Sequence, residues 1–340
     1  MIWLTWRQFR TQAAVGLALV IAVAAVYLST RSTLLDIARD TGYAACTADC
    51  GKLAQQFVQT ARTGYLGQLY QAGALLLILL PALIGLFWGA PLVSRELESG
   101  THRLVWNQSI SRNRWLGVKL GGIGLATAAV AGLSSWAITA WASPLDEVDG
   151  WVVPLTYAAR GIVPAGYAVL GFVVGVTIGM LLRRTVAAMA VTLVVVIAAM
   201  VGGVFFREQL VAHSTYQEAL PADWDGGISL SPDDPNHAIR LEVGPPEVAT
   251  WVLTNKILNS AGAEYRGPYD PDYCGPNATK GGSGPKGCRD WLTSQNLHQK
   301  VTYIANDKFW ALQWRETGVL LVASSLLAIF CFWWIRRRVA

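Results

Sequence analysis

The sequence predicts an α-helical polytopic membrane protein, with six transmembrane helices and a loop-rich extracellular domain between the fifth and the sixth. Six long apolar runs are the first observation behind this prediction. The second is the composition, because 53% of the residues are hydrophobic and only 14% are charged, against about 25% charged in ordinary soluble domains. The third is the placement of the cations, many of which lie at the ends of the apolar runs.

Each apolar run is long enough, or nearly so, to cross about 30 Å of hydrocarbon at about 1.5 Å per helical residue. The first run follows a Trp-rich segment, residues 1–12, that we expect to lie in the membrane interface as an amphipathic helix. A cleaved signal peptide is the alternative, but residues 30–32 do not form an Ala-x-Ala site, so we expect this helix to be retained. The predicted helices cover residues 13–29, 72–92, 116–142, 163–182, 186–206 and 318–335, with a basic tail completing residues 317–340.

The charges between the runs predict the orientation. Cytoplasmic connectors are enriched in Arg and Lys, and on one side the only carboxylates are Glu96 and Glu98, in the connector 93–115. We therefore expect both termini in the cytoplasm and a multi-pass protein of the cell membrane. The net charge of +5 does not predict nucleic-acid binding, because the cations form no separate basic domain. The cations on this side are Arg7, Arg10, Arg95, Arg103, Arg112, Arg114, Lys119, Arg183, Arg184, Arg336, Arg337 and Arg338.

Two segments, residues 30–71 and 207–316, are predicted to lie outside the cell, and each contains two cysteines. Cysteines in an oxidising compartment are expected to pair. Pairing between the two segments stays open, since four cysteines allow three pairings, and a metal site in the first segment is a weaker alternative. The simplest pairs are local, Cys46 with Cys50 and Cys274 with Cys288.

The larger outer segment is predicted to be a mixed, loop-rich domain that matches no enzyme fold. We expect helices over 216–220, 247–261 and 290–306, and an extended segment over 241–246 because Pro-Pro resists helix. Four carboxylates could bind calcium, but their Pro-rich surroundings fit turns better. These carboxylates are Asp223, Asp225, Asp233 and Asp234.

The sequence contains no catalytic motif. It has no Gly-x-x-x-x-Gly-Lys-Ser/Thr phosphate loop and no His-Glu-x-x-His, and its four histidines are scattered. We therefore expect no catalytic residue, no cofactor and no metal site in this chain.

The interior of the membrane is predicted to hold hydroxyls and small residues. If Lys119 is counted with the connector, the cores of the six runs contain no Asp, Glu, Lys or His. Ion-coupled transporters keep such groups near the membrane midplane, so their absence favours a permease whose energy comes from a partner. Glycines at 171, 175 and 179 permit close helix contact. The hydroxyls that could line a substrate path are Ser134, Ser135, Thr139, Thr177 and Thr192.

Several short motifs, taken in order and with this topology, resemble the permease subunits of type-2 ATP-binding-cassette (ABC) exporters, of a kind common in actinobacteria. Each motif is weak by itself, and the resemblance covers the membrane portion but not the outer domain. The motifs are Leu4-Thr-Trp-Arg-Gln-Phe-Arg10; Arg95-Glu96-x-x-x-Gly100-Thr101 with Ser111-Arg112 and Lys119; Gly179-Met-Leu-Leu-Arg183-Arg184-Thr185; Phe309-Trp-Ala-Leu-Gln-Trp-Arg-Glu316; and Trp333-Trp-Ile-Arg-Arg-Arg338.

The resemblance implies an export function. In this family two permease copies, embedded in lipid, pair with two cytoplasmic ATPase subunits, which hold ATP and Mg. Closure of the ATPases drives alternating access, and the charge-free path favours hydrophobic or amphipathic substrates such as drugs, antibiotics or lipids. The connector after the second helix forms a coupling helix that sits in a groove of the ATPase. The matching positions are Arg95, Glu96, Glu98, Gly100, Thr101 and Arg112.

Two other classes remain as alternatives. A membrane-anchored sensor or assembly protein would bind a ligand or partner through the outer domain, without transport, and would not need the Glu-x-x-x-Gly-Thr connector. A membrane enzyme would need carboxylates at the membrane edge, and only Asp146, Glu147 and Asp149 are candidates there.

Overall fold

The computed structural model describes residues 2–48, 50–101, 111–220, 226–230, 238–244, 250–274, 279–280 and 285–337. The chain forms two compact units. We call Met1–Val211 with Lys308–Ala340 the helical unit and Ala212–Asp307 the inserted unit.

Six helical stretches in the described part of the helical unit are long and apolar enough to cross a membrane, which confirms the predicted number. The second span consists of two helices, α3 and α4, joined by a π-helical turn at Gly85–Gly89. The other spans are single helices, α1, α5, α7, α8 and α10 in chain order. The helices are α1 Ile2–Asp40, α2 Gly51–Arg62, α3 Tyr65–Ile84, α4 Ala90–Glu98, α5 Arg112–Asp149, α6 Pro154–Ala158, α7 Val163–Leu182, α8 Thr185–Arg207, α9 Pro285–Ser294 and α10 Phe309–Arg337.

The spans at the two ends of the chain are longer than predicted. Residues 1–12 were expected to form a separate interfacial helix, but from Ile2 they continue without a break into the first span. The segment between the first two spans is correspondingly shorter than predicted, because α1 runs to Asp40 and α3 begins at Tyr65. The last span begins at Phe309, before the predicted residue 318. Apolar content alone misses these extensions, since the added turns contain charged residues.

The fourth span is the centre of the helical unit. In its most apolar window 72% of the residues are buried, against 11% in the fifth span. The core around it includes Trp115 and Trp141 of α5, Leu77 of α3 and Phe172 of α7, all nearly inaccessible. Large aromatic side chains therefore make up much of the core of the helical unit, and Trp141 packs against Tyr27 of the first span with ring centres 5.3 Å apart.

Glycines allow the second and fourth spans to touch backbone to backbone. A Cβ added at Gly89 would lie 2.4 Å from the carbonyl oxygen of Phe172, and one at Gly175 would lie 2.5 Å from that of Gly85. A Cβ added at Gly171 would likewise lie too close to the carbonyl oxygen of Pro81, and one added at Gly179 too close to that of Ala90. The small-residue spacing predicted from the sequence thus serves a contact within the chain. The π-helical turn and Pro81 lie on the other side of this contact.

The inserted unit is a mixed domain in which strands dominate. Strands β1 Ser214–Ala219, β5 His298–Ile304 and β4 Trp251–Leu258 form an antiparallel sheet in that order, and β2 Gly226–Leu230 pairs with β3 Ile239–Val243. Helix α9 contributes Leu292 and Cys288 to a small core with Ile257 and Leu297.

The predictions for this unit are partly wrong. The extended segment predicted over 241–246 agrees with β3 up to Val243, and residues 245–246 lie outside the described residues. The helices predicted over 216–220 and 247–261 contain the strands β1 and β4 where the structure describes them. Strand β4 is rich in β-branched residues, and pairing with β5 satisfies its main chain. The helix predicted over 290–306 ends at Ser294, and β5 follows Asn296, which has a positive φ of 49°. The four candidate calcium carboxylates lie outside the described residues.

Both predicted local disulfides are formed in the structure. Cys46 and Cys50 have Cα atoms 5.9 Å apart, and the Cα atoms of Cys274 and Cys288 are 4.6 Å apart. Cys331 is free and buried in the sixth span, as expected for a small apolar residue there.

Candidate functional site

The predicted coupling connector begins as helix α4 and turns sharply after it. Ser99 ends the helix, with its main-chain N–H donating to the carbonyl of Arg95 at 3.1 Å. Gly100 follows with φ of 71°, a left-handed conformation that favours glycine after a helix end. Arg95 and Thr101 are exposed. The predicted end of the helix at Gly100 is therefore confirmed.

The carboxylate of Glu96 points into the helical unit. Its Oε1 lies 2.6 Å from Nζ of Lys119 in the third span and accepts a hydrogen bond of 2.9 Å from Gln8 in the first. Lys119 is 2% exposed, and its ammonium lies 4.7 Å from the centre of the Trp115 ring. Lys119, counted above with the connector, is therefore a buried cation inside the third span, and Glu96 of the connector neutralises it.

Glu98 contacts the start of the fifth span. Its Oε2 accepts hydrogen bonds from the main-chain N–H of Thr185 at 2.9 Å and from the Thr185 hydroxyl at 2.7 Å. The Thr185 hydroxyl also lies 3.2 Å from that of Ser94. Because the first N–H groups of a helix have no partner within the helix and carry partial positive charge, a carboxylate here stabilises the start of α8.

Arg112 ties the third span to the end of the sixth. Its guanidinium donates to the carbonyl of Ile335 at 3.4 Å, and Arg336 donates to Asn113 at 3.0 Å. The Ser111 hydroxyl caps α5 by accepting from the N–H of Arg114. The described part of the connector thus contacts the first, third, fifth and sixth spans at one end of the unit.

The candidate path hydroxyls are packed inside the helical unit. Ser135 donates to the carbonyl of Gly161 at 2.6 Å, and Thr139 accepts from the Gly161 N–H at 3.1 Å, so both join the third span to the start of the fourth. Thr177 bonds its own helix and lies 3.2 Å from the sulfur of Cys331. Ser134 and Thr192 are fully buried. These contacts agree with a packing role, and the role in a substrate path stays a prediction.

Two further buried ion pairs lie away from the connector. Asp146 of the third span accepts hydrogen bonds from Arg160 at 2.5 Å and from the Tyr70 hydroxyl at 2.7 Å. Arg160 and Asp146 are both fully buried. Asp149, another of the carboxylates considered for an enzyme, pairs with Arg62. These carboxylates therefore hold helices together.

The second pair joins the fifth and sixth spans. Arg207 donates to both carboxylate oxygens of Glu316, at 2.9 and 3.0 Å, and Tyr167 of the fourth span donates to the same carboxylate at 2.9 Å. Both charged residues were predicted to lie in the outer domain, but they belong to α8 and α10 and are almost inaccessible. A cation and a carboxylate at the ends of neighbouring apolar runs are the signal by which the sequence indicates such a pair.

Gln313 completes the link between the fourth and sixth spans. Its Oε1 accepts from the N–H groups of Ile162 and Val163, both at 2.9 Å, and its amide donates to the carbonyl of Arg160. Gly161, with φ of 67°, lies against this side chain: a Cβ there would be 2.7 Å from Oε1. A side-chain amide from the sixth span thus accepts hydrogen bonds from main-chain N–H groups at the start of the fourth span, which have no partner within their own helix.

The described residues contain no group of three or more His, Cys, Asp or Glu side chains that could hold a metal ion.

These features define the class of protein: a multi-pass α-helical membrane protein whose connector links most of its spans. The chain belongs to the ABC-2 membrane transporter related family, whose model matches residues 17–207. It is thus an ABC-2 type membrane transporter permease. No curated protein and no solved structure matches the chain.

Proposed function

We propose that the chain is the membrane-spanning permease subunit of an ATP-driven exporter in the cell membrane. It moves a hydrophobic or amphipathic substrate, such as a drug, an antibiotic or a lipid, out of the cytoplasm or the inner leaflet. A separate cytoplasmic ATPase subunit holds ATP and Mg and supplies the energy. The connector and both termini face the cytoplasm, and the inserted unit lies outside.

One observation carries this proposal: the connector is bonded to most of the spans at one end of the helical unit. Glu96 binds Lys119 and Gln8, Glu98 binds Thr185, and Arg112 reaches Ile335. A push on this segment therefore acts on the first, third, fifth and sixth spans together. Such links are what a soluble motor needs to move a membrane domain between two arrangements.

The remaining surface of the coupling segment is available to a partner. Arg95 and Thr101 are exposed, whereas Glu96 is largely turned inward. We infer that the end of the coupling segment, at Gly100 and Thr101, forms the contact with the ATPase and that Glu96 and Glu98 transmit its movement. In this proposal an ion pair holds helices together at each end of the helical unit. Glu96–Lys119 joins the connector to the third span at the ATPase end, and Arg207–Glu316 joins the fifth and sixth spans at the other end.

A second copy of the permease completes the membrane domain in this proposal. The fifth span supports it, because most of its apolar side chains are exposed in the single chain, among them Val186 at 80% and Phe205 at 72%. Lipid covers such a face equally well by composition, so an apolar surface needs a direct test. Cysteine pairs introduced along the exposed face of α8 should cross-link two copies in native membranes.

The proposal is tested with the complete complex. The chain, co-expressed with its ATP-binding-cassette partner and purified in mild detergent, should form a stoichiometric complex. In inverted vesicles that complex should accumulate a fluorescent amphiphile only when ATP is hydrolysed. Hydrolysis by the isolated chain, or ATP-independent uptake equal to that with ATP, would contradict the division of labour between two subunits.

A membrane-anchored sensor without transport is the second candidate, and a cleft in the inserted unit favours it. The cleft has a volume of about 670 Å³ and lies between β3 and β4, which are not paired with each other. Arg240, Lys256 and Arg266 line it, with Glu264 as the carboxylate. A sensor would bind a soluble ligand here and leave ATP hydrolysis by any partner unchanged, which the same vesicle assay measures.

A further inference from the structure

A groove runs between the first and second spans. It consists of two cavities of about 410 and 390 Å³, and the side chain of Gln12 lines both. Along α1 the lining extends from Gln8 to Leu19, which is about 16 Å at 1.5 Å per helical residue. That is the length of a large part of a lipid acyl chain.

The two halves of the groove differ in chemistry. The half near the connector is lined by Arg95, Glu96, Ser99 and Thr101, together with Gln8. The other half is lined almost entirely by apolar side chains. Those on the two spans include Val15 and Leu19 from the first, and Leu80, Leu83, Phe87 and Trp88 from the second.

The polar half has an excess of positive charge. Glu96 is neutralised by Lys119, whereas Arg95 has no ion-pair partner among the described residues. Arg95 is also exposed. An anionic group placed here would therefore gain a charge-assisted hydrogen bond and would meet no unpaired carboxylate.

Gln12 is a second and independent pointer to a ligand. It follows Thr11 on α1, directly before the apolar run that begins at Ala13; it is partly buried, and its amide makes no hydrogen bond within the described part of the chain. An amide beside hydrocarbon without a partner is unfavourable. Ester and phosphate oxygens of a lipid lie at this boundary between headgroup and acyl chain, and they would accept hydrogen bonds from the Gln12 amide.

The shape of the groove depends on Gly16. A Cβ at this position would lie 2.9 Å from the edge of the Trp88 ring and 3.0 Å from a methyl group of Val130. The absence of a side chain lets Trp88 lie across the first span and leaves the cavity open beside it. Phe9 also packs against Trp88 in an edge-to-face contact, with ring centres 5.1 Å apart.

We propose that this groove binds one lipid with an acidic headgroup. The headgroup contacts Arg95, the glycerol esters contact Gln12, and one acyl chain lies along the apolar half toward Leu80. With the orientation proposed above, this is a lipid of the inner leaflet. The binding itself depends neither on that orientation nor on transport.

Native mass spectrometry of the purified full-length chain tests the proposal. The probes are dioleoyl phosphatidylglycerol and dioleoyl phosphatidylcholine, titrated in detergent without ATP or any partner. We expect one tightly bound phosphatidylglycerol, with an affinity about tenfold above that of phosphatidylcholine, as one charge-assisted contact allows. Equal affinity for the two lipids would overturn the acidic class.

Matched variants locate the site. Arg95→Gln should abolish the preference for phosphatidylglycerol, whereas Arg184→Gln, a cation at the start of the fifth span, should preserve it. Leu83→Trp should weaken the binding of both lipids, because it fills the apolar half. Leu79→Trp changes a similarly exposed leucine one turn away that does not line the groove, and it should bind like the wild type.

If Leu83→Trp and Leu79→Trp behave alike, the lipid does not lie in this groove and the proposal is wrong. All four positions are exposed, so the variants should fold. Because no ATP is present, a failure here leaves the proposed transport intact. Conversely, a permease that exports nothing could still bind this lipid.

Discussion

The ammonium of Lys119 lies 2.6 Å from the carboxylate of Glu96. Among the described residues, this is the only ion pair between the connector and the third span. The side chains are 2% and 13% exposed. A buried charge that loses its partner is strongly unfavourable, whereas a pair replaced by neutral groups is tolerated. The pair therefore serves as a structural link between the part of the permease proposed to receive movement and the spans.

Removing one partner of this pair should destabilise the helical unit more than removing both. Glu96→Gln leaves Lys119 buried and unneutralised, and we expect a loss of about 3 kcal/mol of unfolding free energy. The double variant Glu96→Gln with Lys119→Met should lose clearly less. Denaturation of the purified chain in mixed micelles measures both. Arg10→Gln, an exposed cation in the first span, is the control. Strictly additive losses would show that the two residues are not coupled.

Glu98→Lys should uncouple ATP hydrolysis from transport while the protein still inserts and folds. Glu98 is exposed, so a lysine has room, but it places a cation at the positive start of the fifth span and removes the bonds to Thr185. The ratio of substrate moved to ATP hydrolysed in a reconstituted complex is the measurement. Glu96→Lys is a poorer test, because a second cation beside Lys119 would disturb folding. Wild-type coupling in the Glu98 variant would refute its role.

The stabilisation that Glu316 gains from Arg207 should depend on the guanidinium group and not on the positive charge alone. Arg207→Lys keeps the charge but loses the two-point contact with the carboxylate, so we expect about 1–3 kcal/mol of lost stability. Arg315→Lys is the matched control, because Arg315 is an exposed neighbour that contacts only the main chain of Leu210 in the described structure. Thermal unfolding of both variants in the same detergent gives the comparison. Equal melting temperatures would mean that the buried pair contributes little.

The contact between the second and fourth spans should not tolerate a methyl group added to one of its glycines. Gly175→Ala would place a Cβ 2.5 Å from the carbonyl oxygen of Gly85 and 2.7 Å from the main-chain nitrogen of Ala90. Overpacking of this kind should cost about 1–3 kcal/mol. Gly121→Ala in the third span meets nothing within 4 Å and should be neutral or slightly stabilising. Thermal unfolding distinguishes them, and a stable Gly175→Ala variant would show that the spans can separate without loss.

The bond between Cys274 and Cys288 should stabilise the inserted unit. It closes a loop with a sequence separation of 14 residues, for which the loop-entropy account gives about 3 kcal/mol. Peptide mapping of the non-reduced protein should recover the two cysteines linked, and proteolysis of Cys274→Ala should cleave this unit faster than that of Cys331→Ala. For the orientation, an impermeant maleimide added outside intact cells should label a cysteine introduced at the exposed Lys286. Labelling only from the cytoplasmic side would reverse the orientation and remove the basis for coupling through Glu98.

The sequence by itself determined the features that depend on local composition. Six apolar runs predicted six spans, the Glu-x-x-x-Gly pattern predicted a helix that ends at Gly100, and cysteine spacing predicted both local disulfides. Each of these follows from residues close together in the chain, where helix geometry and chain entropy decide the outcome.

Only the tertiary structure decided which charges meet and which segment of the inserted unit becomes a strand. Glu96 and Lys119 are 23 residues apart, and Arg207 and Glu316 are 109 apart. Their positions at the ends of apolar runs mark them as candidates for ion pairs, but nothing local indicates which of them are neighbours. The segment containing Trp251 had a spacing that fitted a helix, but pairing with β5 made it a strand, because strand pairing satisfies the main chain across a long loop. Buried polar partners and β-pairing are set by the packing of distant segments, which periodicity does not encode.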